Sequence, residues 1–152
     1  ETVAPIKFAH VVLPSRPYQA QINFYQLPLG ARIVHGDEAA SFLSYDNAPH
    51  RIAITNMPGL IPQINAMAGV DHYAFTYANL DDLLCTYQRM KAAGHTPVRC
   101  TNPIGVNFDP DEMVEKRASG ASREELAKKR PVTTAHPATM PRAYLDRFHW
   151  SL

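Results

Sequence analysis

Glycine is scarce in this chain, seven in 152 residues, and none is arranged as G-x-G-x-x-G or in a phosphate-cradling loop. That argues against a nucleotide or dinucleotide site. Cysteine is scarcer still. Cys85 and Cys100 are the only two, with no C-x-x-C spacing, so neither a disulfide framework nor a zinc knuckle is indicated and both read as reduced thiols. No apolar run approaches the roughly 20 residues of a membrane span, and the first residues lack the pattern of a signal peptide. A soluble, cytoplasmic protein without a membrane partner is expected. Charge of one sign is also missing: 15 Lys and Arg face 14 Asp and Glu, a formal +1. With no basic stripe interleaved with aromatics, nucleic acid is not an expected partner, and Lys128-Lys129-Arg130 reads as a solvated run.

The chain does hold seven histidines and several short β-like runs. In "KFAHVVLPS" (7–15), Phe8, Val11, Val12 and Leu13 read as a buried strand stopped by Pro14, with His10 in its middle. A single histidine so placed is more often a hydrogen-bonded core residue than a ligand. Ser15 is expected to cap a helix whose apolar face is Tyr18, Ile22, Tyr25 and Leu29, with Gly30 as its stop. Strands are predicted at 31–35, 39–45 and 50–57, followed by a Pro- and Gly-bearing linker.

The second half opens in the same way. "GVDHYAFTYA" (69–78) reads as a strand around His72, and Asn79 with Asp82 resembles a capping box. The helix that follows should bury Leu80, Leu83, Leu84, Tyr87 and Met90 and stop at Gly94, before a strand-like 95–100. A shift of 62 residues lays His72 on His10 and Tyr87-Gln88 on Tyr25-Gln26, which argues for an internal duplication. The pattern then breaks. Pro103 and Pro110 interrupt any strand, Asp109-Pro110 opens a charged helix, and the Pro-, Thr- and Arg-rich tail is expected to wrap the surface or dock through Tyr144, Leu145, Phe148 and Trp150. The expected division is a first βαβββ module at 1–58, a linker at 59–68, an incomplete second module at 69–100, and a helical extension and tail at 101–152.

Paired strand–helix–three-strand modules, each with a strand-borne histidine, resemble the vicinal oxygen chelate superfamily of glyoxalases, bleomycin-resistance proteins and extradiol dioxygenases. The segments "FAHVVL", "FLSYDNAPHRIAITNMPGL" and "GVDHYAFTYANLDDLLCTYQRMKAAGHTPV" follow the dioxygenase-like members in order. The resemblance implies an α+β fold, paired βαβββ modules in a cup-like mixed sheet, the second incomplete. It implies His10 and His72 as metal ligands and His50, in "PHRIAI", as an acid/base group beside bound substrate. Two imidazoles and a carboxylate on one face suit Fe(II), with Mn, Zn or Ni as other divalent ions. The family's third ligand is a glutamate on the last strand of the second module, and its "Y-Y-x-D-P-x-G-N" segment is missing between Cys100 and Thr101. Glu112, Glu115, Glu124 and Glu125 fall instead on what reads as a solvated helix. Either the natural chain has residues at that point that this sequence omits, or this is a shortened relative with an incomplete site and no metal.

The implied function is extradiol-type dioxygenation of a small aromatic or oxygenated molecule. A glyoxalase-like isomerase or lyase and a metal-free binder of the bleomycin-resistance kind are the alternatives. Exposed strand edges in an incomplete second half would favour a homodimer.

Overall fold

The β-branched and apolar run after His10 produces β1 (Val11–Ser15), and helical spacing from Tyr18 produces α1 (Tyr18–Leu29). Three further strands complete the first unit: β2 (Arg32–Gly36), β3 (Ala40–Ser44) and β4 (Ile52–Asn56). The computed structural model describes residues 2–61, 69–70, 72–97, 100, 108–128 and 148–151. It divides the chain into two units, 1–68 and 69–152. The linker residues 62–68 and the tail residues 129–147, including Tyr144 and Leu145, lie outside the described residues.

The four strands form one mixed sheet in the order β1-β4-β3-β2, with β1 parallel to β4 and the other neighbours antiparallel. A parallel pair needs a long crossover, and α1 with the β2–β3–β4 meander supplies it. Both outer strands carry features that edges tolerate. Pro14 lies in β1, where a missing N–H interrupts no central ladder, and β2 has an irregularity between Ile33 and His35 that leaves Val34 without a register partner.

Register divides the sheet into two faces. Val11, Ile52, Leu43 and Ile33 form one row across it, and Leu13, Ile54 and Ser41 form a second row on the same face. α1 packs on β4, burying Ile22, Tyr25 and Pro28 while Leu43, Ile52 and Ile54 are closed off in the sheet. Tyr18 Oη lies 2.7 Å from Ser41 Oγ and donates to the Asp37 carbonyl at 2.9 Å, so helix and strand are also joined by polar contacts. Gly36 leaves room for that contact, since a Cβ there would stand 2.8 Å from Ser41 Oγ. The row Val12, Ala53, Phe42 and His35 faces the other way, and Val12 is about half exposed.

The expected helix cap fails. Ser15 is the buried last residue of β1, its Oγ donating to Gln21 Oε1, and Pro17 occupies the position before α1 with no side-chain cap. The C-terminal stop is as expected, with Gly30 in the left-handed region at φ 59°.

In the second unit β5 (Ala74–Tyr77) leads to α2 (Leu80–Ala92), then α3 (Pro110–Ala118) and α4 (Arg123–Lys128). The 62-residue shift carries β1 and α1 onto 73–77 and 80–91, where β5 and α2 stand, so the first two elements of each unit coincide. Asn79 caps α2 as expected: its side chain accepts from the Asp82 N–H at 3.0 Å and donates to Asp82 Oδ2 at 2.8 Å. Leu80, Leu83, Leu84, Tyr87 and Met90 are buried along the helix.

Asp109 and Pro110 open α3, and Met113 and Val114 pack on a cluster of Leu80, Leu84 and Leu126. The α3 helix is therefore less fully solvated than its charge implies. The Asp81 carboxylate accepts Arg117 Nε at 2.6 Å and Arg123 Nη2 at 2.6 Å, fastening α2 to both later helices.

One expectation is corrected and one is extended. His95–Pro97 and Cys100 are not in a strand, because no neighbouring strand pairs with them among the described residues. The end of the tail, expected only to wrap the surface or dock, docks as a strand that was not expected: β6 (Phe148–Ser151) pairs antiparallel with β5, Ala74 opposite Ser151 and Tyr77 opposite Phe148. Among the described residues no helix is long and apolar enough to cross a membrane.

Candidate functional site

Because β1 and β4 run parallel as neighbours, the residues that lead into them lie side by side. Those residues are His10, directly before Val11, and His50, two positions before Ile52. Their ring centroids are 4.5 Å apart with the planes tilted by 38°. His10 is exposed, rather than central in a buried strand as its apolar neighbours imply, and His50 is half-buried. The row continues across the sheet. Phe42 on β3 meets His50 edge-on at 5.1 Å, and His35 on β2 lies 5.9 Å from Phe42. Four rings thus run in series, one from each strand or its lead-in.

The turn that carries His50 is rigidly tied. Asp46 Oδ1 accepts the Ala48 N–H at 2.9 Å, and the fully buried Ser44 donates from Oγ to the Ala48 carbonyl at 3.0 Å. Arg51 grips Asp46 through Nε and Nη2, at 3.0 and 2.8 Å to Oδ2, and this guanidinium holds the carboxyl down at about 2. Asp46 therefore stays ionised at any ordinary pH.

His72 stands in the second unit, exposed, two residues ahead of β5. Each expected ligand thus precedes the first strand of its own unit. Among the described residues no three His, Cys, Asp or Glu side chains group so as to hold a metal ion. Glu112 pairs with Lys116, Glu125 accepts from the Ser122 N–H, and Glu115 is exposed. Two imidazoles without a carboxylate do not complete the facial donor set that non-haem Fe(II) takes. The described residues alone therefore do not fit that metal.

Reading the sequence did not single out Phe42, His35 or Arg51. Phe42 had a signal, since it alternates with the buried Ser41 and Leu43 and so belongs to the opposite face. Arg51 had no signal for its tie to the His10 segment, because besides Asp46 its partners are backbone carbonyls 42 and 43 residues away.

Comparison with known proteins bears on this geometry. Biphenyl-2,3-diol 1,2-dioxygenase 2 of Rhodococcus globerulus is 36% identical over 92 residues, 60% of this chain and 48% of the relative. Biphenyl-2,3-diol 1,2-dioxygenase 3 of the same organism is 36% identical over 98 residues, 63% of this chain and 51% of the relative. The chain spans about half the length of the curated relatives it matches. Residues 7–113, which take in β1 to β5, all three candidate histidines and α2, match the family model described as Glyoxalase/Bleomycin resistance protein/Dioxygenase superfamily. With a βαβββ unit around a mixed sheet and a match over most of its length, the chain belongs to the glyoxalase/bleomycin resistance protein/dioxygenase superfamily.

Proposed function

We propose that the protein is a metal-dependent extradiol-type dioxygenase-like enzyme acting on a small aromatic diol. The observation that carries this reading is the 36% identity to two biphenyl-2,3-diol dioxygenases. In this reading His10 and His72 would be ligands of a divalent ion, Fe(II) in the first place, and would need a carboxylate donor beside them. The ion would compensate the charge of a deprotonated diol and make O2 reactive toward it.

The work of the chain's own residues is positional and protic. His50 accepts a hydroxyl proton from the diol and returns one later, a role that its tied turn suits by fixing where the imidazole stands. Phe42 meets that ring from behind, which limits the imidazole to few orientations. The face carrying Val12 and Phe42 offers apolar surface to a flat ring.

The test is elemental analysis after dialysis, together with O2 uptake on catechol or biphenyl-2,3-diol, for the wild type and three variants. His10→Ala and His72→Ala should lose the divalent ion, whereas His50→Ala should keep it and turn over about 100-fold more slowly or worse. A yellow ring-cleavage product should accompany O2 uptake in the wild type. Unchanged metal content in both ligand variants, or turnover without O2, would refute the reading.

A further inference from the structure

We propose that Arg51 is the positioning residue for the histidine pair, the group that holds His10 against His50 once the parallel pairing of β1 and β4 has brought their lead-in segments together. The inference rests on the functional reading above and deepens it, because that reading assigns no role to Arg51.

Three residues around His10 are bound by Arg51. Its Nη1 donates to the Phe8 carbonyl at 2.8 Å and to the Ala9 carbonyl at 2.9 Å, and its own carbonyl accepts the Val11 N–H at 3.0 Å. The other edge of the guanidinium, Nε and Nη2, is spent on Asp46 in the turn that carries His50. One planar group therefore joins the segment before β1 to the segment before β4. The imidazoles follow from that join, since one is adjacent in sequence to Ala9 and the other to Arg51 itself. Without it, residues 2–10 form no regular element and are exposed throughout. The Arg51 side chain is only 16% exposed, although the Phe8 and Ala9 carbonyls it meets belong to an exposed segment.

The geometry requires arginine rather than any cation. The ammonium of lysine is a single point with three donors, and it cannot grip a carboxylate on one side while meeting two carbonyls on the other. Lys at position 51 would keep the charge beside Asp46 and lose the carbonyls, or the reverse. Arg32 is a natural control, because its Nη2 reaches the same turn at the Asp46 carbonyl, 2.9 Å away, and is not bonded to residues 8–11.

The experiment uses the full chain in wild-type, Arg51→Lys, Arg51→Ala and Arg32→Lys forms, with crystal structures and steady-state kinetics on catechol below each melting temperature. For Arg51→Lys the His10 and His50 rings should separate. Its kcat should fall 10- to 100-fold with KM changed less than about twofold, as misplacement of a reacting group predicts. Arg51→Ala should show the same separation if it folds, and Arg51→Lys decides the matter if it does not. Arg32→Lys should leave rings and kcat as they are. Rings still in contact in Arg51→Lys would overturn the proposal whatever the kinetics, as would a kcat loss shared by Arg32→Lys. If the rings separate while His50→Ala turns over normally, the role of Arg51 as tether stands and the acid/base role of His50 falls, so the two failures are distinguishable.

Discussion

Replacing Leu43 by Ala probes the platform on which the histidines stand. Leu43 is 0% exposed on a central strand, in register with Ile52 on one side and Ile33 on the other. Removing three carbons forfeits about 2.4 kcal/mol of transfer free energy at about 0.8 per methylene. Both flanking strands are pinned by ladder hydrogen bonds, so the site cannot collapse fully. A residual void of about 50 Å³ would add roughly 1.2 kcal/mol at about 24 cal/mol per Å³. The expected cost is about 3.6 kcal/mol, inside the range of about 2 to 5 for buried Leu to Ala. Native-state hydrogen exchange at the β3 and β4 amides reads the first unit alone, and protection there should drop by about 400-fold. Ile33→Ala is the matched comparison, since Ile33 shares the register but is 47% exposed, and should cost under about 1 kcal/mol. Equal losses for the two variants would refute the reading that this one row is closed at the central strand β3 and open at the edge strand β2.

In the second unit, Asn79→Ala removes the cap of α2 and should cost about 1 kcal/mol in exchange protection of its first turn, with Asn79→Ser retaining most of it. Asp81 gives a pH prediction. The guanidinium of Arg117, then that of Arg123, holds its carboxyl down at about 2 from an ordinary 3.8. A depressed carboxyl stabilises above its unfolded value and loses that contribution as pH falls toward the folded one. The melting-temperature gap between wild type and Asp81→Asn should therefore be constant above about pH 5 and close between pH 4 and 2. A gap that persists at pH 2 would show that Asp81 acts by some other means.

The elements were legible where their signals are local. The Asn79–Asp82 cap, the apolar stripe of α2, the Asp109-Pro110 start of α3 and the Gly30 stop each depend on residues within a turn of one another, and each appears where expected. Ser15 misled because the same residue type that caps helices also fits a buried strand end bonded to Gln21. The run at 95–100 has strand-like composition, but a strand exists only when another pairs with it. β6 was hidden for the converse reason, since its pairing with β5 spans more than 70 residues. At the candidate site the residue types could be read and the proximity could not. His10 and His50 meet through parallel pairing, and Arg51 through bonds to carbonyls that no side-chain pattern records.

The parallel join of β1 to β4 also places the histidine pair in time. The turn of Asp37, whose carboxylate accepts the Ala39 and Ala40 N–H groups, closes β2 on β3 over a few residues, and β3 meets β4 across residues 45–51. Those contacts cost little loop entropy and form early, as does α1. Val11 and Ile52 are 41 positions apart, the longest reach among the strand pairings of the first unit, so seating β1 carries the largest loop-closure cost of the three. His10 approaches His50 only when that strand is seated, which makes their contact a gauge of a finished unit. Fraying of one edge strand would part the two rings while α1 and the three-stranded meander stay folded.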